Sequence, residues 1–454
     1  VPRIMPDAMT DTMTGRATSP RALFGHPPGL MLLFLVEMWE RFSFYGMRTL
    51  LIVYLTAVVL PDAGHVAGYA TLCALLHLDP ATAGPVRISS ELYGLYSGCV
   101  YLTPLLGGLL ADRLFGKRAT IIAGGALIVA GHLLLTTRHW FLAALLLVVI
   151  GTGGVKGNIA AQVADLYEPG DPRRERGFSI FYVGINVGAT AAPIVCSALA
   201  GTLGWNAAFM ATSIGMIAGL ALYAFGAAHL PDRQAPDPAA AAPARTGGGS
   251  FAILAVLTLA ATFLWISYEQ QANALVRWMA ASPSDMGLAW LQAIPPAMVL
   301  CGTPLLTRHW SARARAGREP GPGSKMLIGA AIVLVMQLLL AVLSLAGGGK
   351  APPGWVVALY FAGWEIGDLY FSPAAMGVFS RLARPGFEAV TMAVWYLTVF
   401  AGNIASGWIG GMWGSVGISA YWFIVAALTA VGVAGMAVCR PLIARAPHAV
   451  PQDA

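Results

Sequence analysis

Charge is what this sequence has least of. Asp, Glu, Lys and Arg make up 11% of its 454 residues, where soluble domains carry roughly a quarter. That scarcity, with 57% apolar residues, excludes an ordinary water-soluble domain. Cysteine is sparse too. Cys73, Cys99, Cys196, Cys301 and Cys439 are scattered without a CxxC pair, which leaves no disulfide framework or zinc knuckle to expect. The eight histidines, His132 among them, form no HxxxH or HExxH set, and no nucleophile and base stand at a recognisable spacing, so no enzyme chemistry is expected. The glycine-rich "GTGGVKG" lacks the spacing of a phosphate-cradling loop and lies in an apolar run. Its glycines read as close helix packing. Residues 1–28 carry Arg3, Arg16 and Arg21 but no apolar segment, so no cleaved signal is read there and the first span is expected to direct insertion.

Long apolar runs are abundant. They recur at 29–60, 88–111, 118–136, 139–165, 176–202, 206–227, 251–279, 286–307, 325–346, 353–380, 386–412 and 417–439. About 20 residues cross a bilayer core, and each run must cross as a helix because open backbone cannot stay unpaired in lipid. The expected fold is an all-α integral membrane protein with twelve transmembrane helices. The cations orient it. With the first segment inside, twenty of the 27 Lys and Arg residues fall in inner segments, three outside (Arg87, Arg138, Lys350) and four within spans, as the positive-inside rule requires. Both termini are expected in the cytoplasm. The net charge of +6 follows from those loops and implies no nucleic acid. Between the sixth and seventh spans, "PDRQAPDPAAAAPARTGGGS" reads as a linker. The expected organisation is a cytoplasmic tail over 1–28, a six-helix bundle over 29–227, a linker over 228–250, a second six-helix bundle over 251–440 and a tail over 441–454. Transporters built this way hold substrate near the midplane, between the halves.

Charges inside spans are expensive and mark pathways. In "EMWERFSFYGMR", Glu37, Arg41, Tyr45 and Arg48 follow at helical steps and form one stripe, with Glu40 beside Arg41. A structural alternative is that these groups only neutralise one another to pin helices. Lys156, Glu269, Glu365 and Asp368 lie in other spans, and Asn186 is a buried polar candidate. The first half thus offers mainly cations (Arg41, Arg48, Lys156) and the second carboxylates (Glu269, Asp368). A solute with a carboxylate at one end and an ammonium at the other complements that asymmetry.

These residues carry a resemblance. "EMWERFSFYGMR" resembles the ExxER motif of the proton-dependent oligopeptide transporters, a branch of the major facilitator superfamily. "FSIFYVGINVGA" is similar to that family's FYxxINxG signature, "GGLLADRLFGKR" to the superfamily loop motif, "YEQQAN" to the seventh-span EQ motif and "GDLYFSP" to the tenth-span GELxxSP. The likeness runs in order from about residue 29 to 440. It implies a major-facilitator-type fold and a proton-coupled symporter of di- and tripeptides, with protons as coupling ion, no other cofactor and a monomer working in the bilayer. Glu37, Glu40 and Arg41 would form the proton-coupling cluster with Lys156. A carboxylate losing its cation to a substrate carboxylate gains proton affinity. Arg48 and Lys156 would hold the peptide carboxylate. Asp368 with Asn186 would receive the amino group. Tyr45, Tyr96 and Trp395 would complete the pocket, Glu269 would be a second protonation site pairing across the halves, and Asp112 and Arg113 would belong to a cytoplasmic gate.

Four departures stand out from the family pattern. Phe44 replaces a tyrosine, Gly157 follows Lys156 where proline is usual, Pro295 stands in place of an asparagine, and Asp368 is one methylene shorter than the usual glutamate. The last two weaken ammonium recognition and keep open another carboxylate-bearing or zwitterionic solute. A linker of twenty-odd residues has no room for the two extra helices of many bacterial relatives. The excess of Arg over Lys, 23 to 4, suggests a GC-rich bacterial host and its inner membrane.

Overall fold

The computed structural model describes residues 25–168, 171, 173–231, 250–281, 287–382 and 388–445. The expected tails and linker fall mostly on 1–24, 232–249 and 446–454, outside the described residues. Helices account for nearly everything else. They are α1 (Pro28–Tyr54), α2 (Tyr69–Leu75), α3 (Pro85–Leu110), α4 (Gly116–Leu134), α5 (Phe141–Asp165), α6 (Arg173–Leu203) and α7 (Trp205–Gly226), then α8 (Ser250–Glu269), α9 (Ala274–Ala280), α10 (Leu288–Arg315), α11 (Pro322–Ala346), α12 (Gly354–Leu382), α13 (Glu388–Gly411) and α14 (Ile418–Arg445). Each run expected to cross falls on one of these, the seventh being broken into α8 and α9. Among the described residues, nine helical stretches are long and apolar enough to span a membrane. Residues 85–134 form one such stretch of 50 residues that holds both α3 and α4. Helices α12 and α13 have spanning lengths of 29 and 24 residues but are not among the nine.

Helices α1 and α3–α7 pack on one another, and α8 and α10–α14 likewise; α3 with α13, α6 with α10 and α1 with α9 join the two sets. Two ends can be told apart. At the end where α1 starts, here called proximal, Lys117 pairs with Asp165 at 2.7 Å and Arg118 donates to the Leu230 carbonyl. At the distal end, Trp278 Nε1 donates to Gly349 O at 2.9 Å.

Without a hydrophobic force between helices in lipid, close backbone approach and buried hydrogen bonds hold a bundle together. "GTGGVKG" works this way. A Cβ on Gly151 would meet Gly124 O at 2.5 Å, and one on Gly153 would meet Thr103 Cβ at 2.8 Å. Gly107 lies directly against the Gly153 carbonyl. Gly107→Val therefore forces α3 off α5, an overpacking cost of about 1–3 kcal/mol. The expected result is a lower Tm of the detergent-solubilised protein; an unchanged Tm would remove this contact from the account. A buried polar triad adds to the same bundle. Ser43 Oγ lies 3.1 Å from His132 Nε2, His132 Nδ1 lies 2.7 Å from Thr212 Oγ1, and Ser43 donates to Thr212 O at 2.9 Å, tying α1 to α4 and α7.

Candidate functional site

The stripe on α1 is buried along its polar length. Glu37, Glu40 and Arg41 are each under 5% exposed. Arg41 Nε lies 2.9 Å from Glu37 Oε1 and 2.6 Å from Glu40 Oε2. Only the first contact has hydrogen-bond geometry, and Glu37 Oε2, Glu40 Oε2 and Arg41 Nη2 find no hydrogen-bond partner. One guanidinium thus serves two carboxylates. The compensating cation is Lys156 on α5, yet its ammonium sits 3.9 Å over the Tyr101 ring rather than in an ion pair. The four charges sum to zero while one cation stands aside, an arrangement ready to exchange partners.

One to two turns further along α1, Arg48 Nη2 donates to Glu269 Oε2 at 2.6 Å and Arg48 Nε to Tyr93 OH at 2.8 Å, and Tyr93 OH donates to Glu269 Oε2 at 3.3 Å. Three helices, α1, α3 and α8, meet at this point. Glu269 ends α8 because the next four residues, Gln270 to Asn273, form a turn. Broken helices survive at membrane depth only where the freed backbone groups are satisfied, and here Gln271 N donates to Tyr268 O at 3.0 Å and Leu275 N to Gln270 O at 2.9 Å, while the side chains of "EQQAN" fix the turn in place. Gln270 Nε2 donates to Ser406 Oγ at 3.0 Å, its Oε1 accepts from Tyr421 OH at 2.5 Å, and Asn273 Oδ1 accepts from Ser90 and from Arg277. Arg277 on α9 reaches across to α3, with Ser90 Oγ at 2.7 Å and Ser89 Oγ at 2.5 Å. This polar clamp and the glycine crossing of α3 with α13 close the distal side.

Gly94 makes that crossing possible. A Cβ there would meet Asn403 O at 2.6 Å and Gly407 Cα at 2.8 Å, both backbone atoms. Gly94→Val should hold the two halves apart distally and cut the initial uptake rate at least tenfold at equal expression. Full uptake in this variant would show that the crossing need not form during transport.

A cavity of about 220 Å³ lies between the halves. Tyr45, Arg48 and Asn186 face it from one half and Asp368 from the other, so four of the sequence-predicted residues come together. Glu269 joins them through Arg48. Asp368 Oδ1 accepts from Ser372 Oγ at 2.5 Å, and Asn186 Nδ2 donates to Tyr182 O at 2.9 Å on its own helix. Others lie elsewhere. Tyr96 is buried with an unpartnered hydroxyl and is not part of the lining. Lys156 is at the Tyr101 ring, also off the lining, so the structure does not bring it to Arg48 as a joint carboxylate clamp. Trp395 is 4% exposed and packs against Trp265, Phe371 and Phe379 in the core of the second half. Its indole is spent on packing, not on the cavity wall. Asp112 and Arg113 lie exposed on a π-helical turn, Ala111–Phe115, at the proximal end, where Lys117 pairs with Asp165 and Arg173 with Asp171.

The lining also holds residues that were not singled out for the site: Tyr182, Tyr268, Gln292, Phe361 and Glu365. Gln292 is one turn before Pro295, and its Nε2 is buried without a partner. An amide therefore faces the cavity near the place where the proline displaced the expected one. The signal was in "LQAIPP", at a spacing of three.

Comparison with known proteins gives the family. The profile of the POT family matches residues 118–243 and 251–421. The chain is 29% identical to "Peptide transporter YePEPT" of Yersinia enterocolitica subsp. palearctica, over 86% of this chain and 89% of that one. It is 28% identical to a "Di-/tripeptide transporter" of Lactococcus lactis subsp. cremoris, over 83% and 88%. Among solved structures, a mutant peptide transporter POT in complex with alafosfalin superposes with a TM-score of 0.80 at 25% identity, covering 94% of this chain and 96% of that one. With the family profile matched over more than half its length, and with its broken seventh span and cavity between two helical halves, the chain belongs to the POT family of transporters.

Proposed function

We propose that this protein is a proton-coupled symporter that imports di- and tripeptides by alternating access across a bacterial inner membrane. The observation that carries the reading is the cavity itself, with Arg48 on the first half and Glu365 and Asp368 on the second. Opposite charges on opposite halves match a zwitterion, and a guanidinium holds a carboxylate through two parallel N–H bonds. Similarity to the Yersinia peptide transporter and the Lactococcus di-/tripeptide transporter supports the same conclusion.

Coupling follows from competition for Arg48. A substrate carboxylate entering the cavity competes with Glu269 for the guanidinium. A buried carboxylate left without its cation neutralises by binding a proton. The α1 cluster offers a second exchange, in which Lys156 leaves the Tyr101 ring for Glu37 or Glu40. The cation bias of the loops supports cytoplasmic termini; in this reading protons are the coupling species and a monomer contains the whole pathway. The test is dialanine uptake into proteoliposomes with and without an inward proton gradient. Accumulation above equilibrium that needs the gradient is expected. Absence of dialanine uptake in both conditions rejects the peptide reading and turns the search to other carboxylate-bearing or zwitterionic solutes, the alternative that Pro295 on the cavity wall favours.

A further inference from the structure

The α1 cluster balances its own charge, but the cavity does not. Its lining contains three ionisable acid or base groups of fixed sign, Arg48, Glu365 and Asp368. Arg48 is already matched by Glu269 at 2.6 Å. Glu365 is 5% exposed and makes no hydrogen bond or ion pair with any described residue. Among the described residues, Asp368 has only the Ser372 hydroxyl. A neutral dipeptide brings one carboxylate for Arg48 and one ammonium for the acidic side. That leaves one of the two α12 carboxylates without a counter-charge, so it either takes a proton or meets a second cation on the substrate.

We propose that Glu365 and Asp368 together form a two-carboxylate receptor that selects peptides whose first residue carries a cationic side chain. This rests on the peptide reading of the same cavity and names its preferred substrate class. The spacing supports it. Residues three apart on a helix have Cβ atoms about 5–6 Å from each other on one face, close to the reach between the α-ammonium and the side-chain ammonium of a lysine. Both charges then come from a single residue. The surrounding wall is compatible with a cation, since Tyr45, Tyr182, Tyr268 and Phe361 line the same cavity and aromatic faces attract ammonium groups. Glu365 also accounts for the two departures on the amino-terminal side. With Asp368 short and Pro295 unable to donate, a second carboxylate one turn away restores ammonium binding and shifts it toward dications.

The experiment measures initial uptake of Lys-Ala, Ala-Lys and Ala-Ala in proteoliposomes of the wild type, Glu365→Gln and Glu365→Asp. The wild type should show a KM for Lys-Ala at least tenfold below that for Ala-Ala. Glu365→Gln should bring the two values within about twofold of each other, and Glu365→Asp should keep the preference. The Tm of each solubilised variant serves as the internal measure that it is folded. A wild type that takes up Ala-Ala without preferring Lys-Ala overturns this inference alone, whereas no uptake of any of the three overturns the peptide reading with it. Preference for Ala-Lys over Lys-Ala overturns the placement of both charges on the first residue. A preference unchanged in Glu365→Gln, with altered gradient dependence instead, would make Glu365 a proton carrier and not a receptor for substrate.

Discussion

Vesicles containing Glu40→Gln should exchange dialanine across the membrane yet fail to accumulate it under an inward proton gradient. Glutamine preserves the shape and removes the titration. In the wild type, Arg41 serves Glu37 and Glu40 at 2.9 and 2.6 Å, and Lys156 rests on Tyr101. The variant has one carboxylate against two cations, so Lys156 has no vacated carboxylate to move to, and no proton is needed to complete the cycle. Gradient-driven accumulation should fall from at least tenfold to unity, while counterflow stays within a few-fold of wild type. If the cluster were only a clamp between helices, both modes would fall together and the solubilised protein would be less stable. Arg41→Gln gives the contrast, because it strands two buried carboxylates beside each other. Breaking a buried pair in that way costs about 3–5 kcal/mol, and a loss of folded protein is expected there.

The success and failure of the sequence reading follow the range of the interactions. The α1 stripe was legible because a helix fixes its own register, and Glu37 to Arg41 is a contact between residues four apart. The glycines of "GTGGVKG" were legible for the same reason: small residues announce close neighbours without naming them, here α4 for Gly151 and α3 for Gly153. The pairing of Arg48 with Glu269 spans 221 positions. Resemblance suggested that Glu269 pairs across the halves, but nothing local showed that Arg48 was the partner or that Tyr93 completed the contact. Trp395 erred in the opposite direction. An indole on a span can face a cavity or a core with the same local pattern, and here Trp265, Phe371 and Phe379 surround it. Glu365 was visible as a charge in an apolar run, but the motif directed attention to Asp368 one turn away. Only the cavity wall shows that both carboxylates face the same space. The helix count is limited by composition. Among the described residues α3 and α4 also count as one stretch of 50 residues.

Arg48→Gln should reduce peptide uptake at least a hundredfold, and the double variant Arg48→Gln with Glu269→Gln should recover stability without recovering transport. The single variant removes the donor at 2.6 Å from Glu269 Oε2 and leaves that carboxylate, 1% exposed, with only the Tyr93 hydroxyl at 3.3 Å; its Oε1 has no partner at all. An uncompensated buried charge of this kind costs about 3–5 kcal/mol, enough to lower the Tm of the solubilised protein measurably. Replacing Glu269 as well removes the stranded charge, and two facing amides can hydrogen-bond to each other and to Tyr93 where a lone carboxylate had lost its cation. Tm should therefore return toward the wild-type value. Uptake should not, because the substrate carboxylate still lacks its guanidinium and the proton lacks a carboxylate released by substrate. If the double variant transports dialanine, Arg48 serves only to neutralise Glu269, and the carboxylate end of the substrate is held by something else on the cavity wall. If it neither folds better nor transports, the contact is one the bundle needs for reasons other than charge. Arg48→Lys separates the remaining possibilities, since it keeps the charge but loses the fork. Binding through two parallel N–H bonds predicts a raised KM with Tm largely retained, whereas a role of charge alone predicts near-normal uptake.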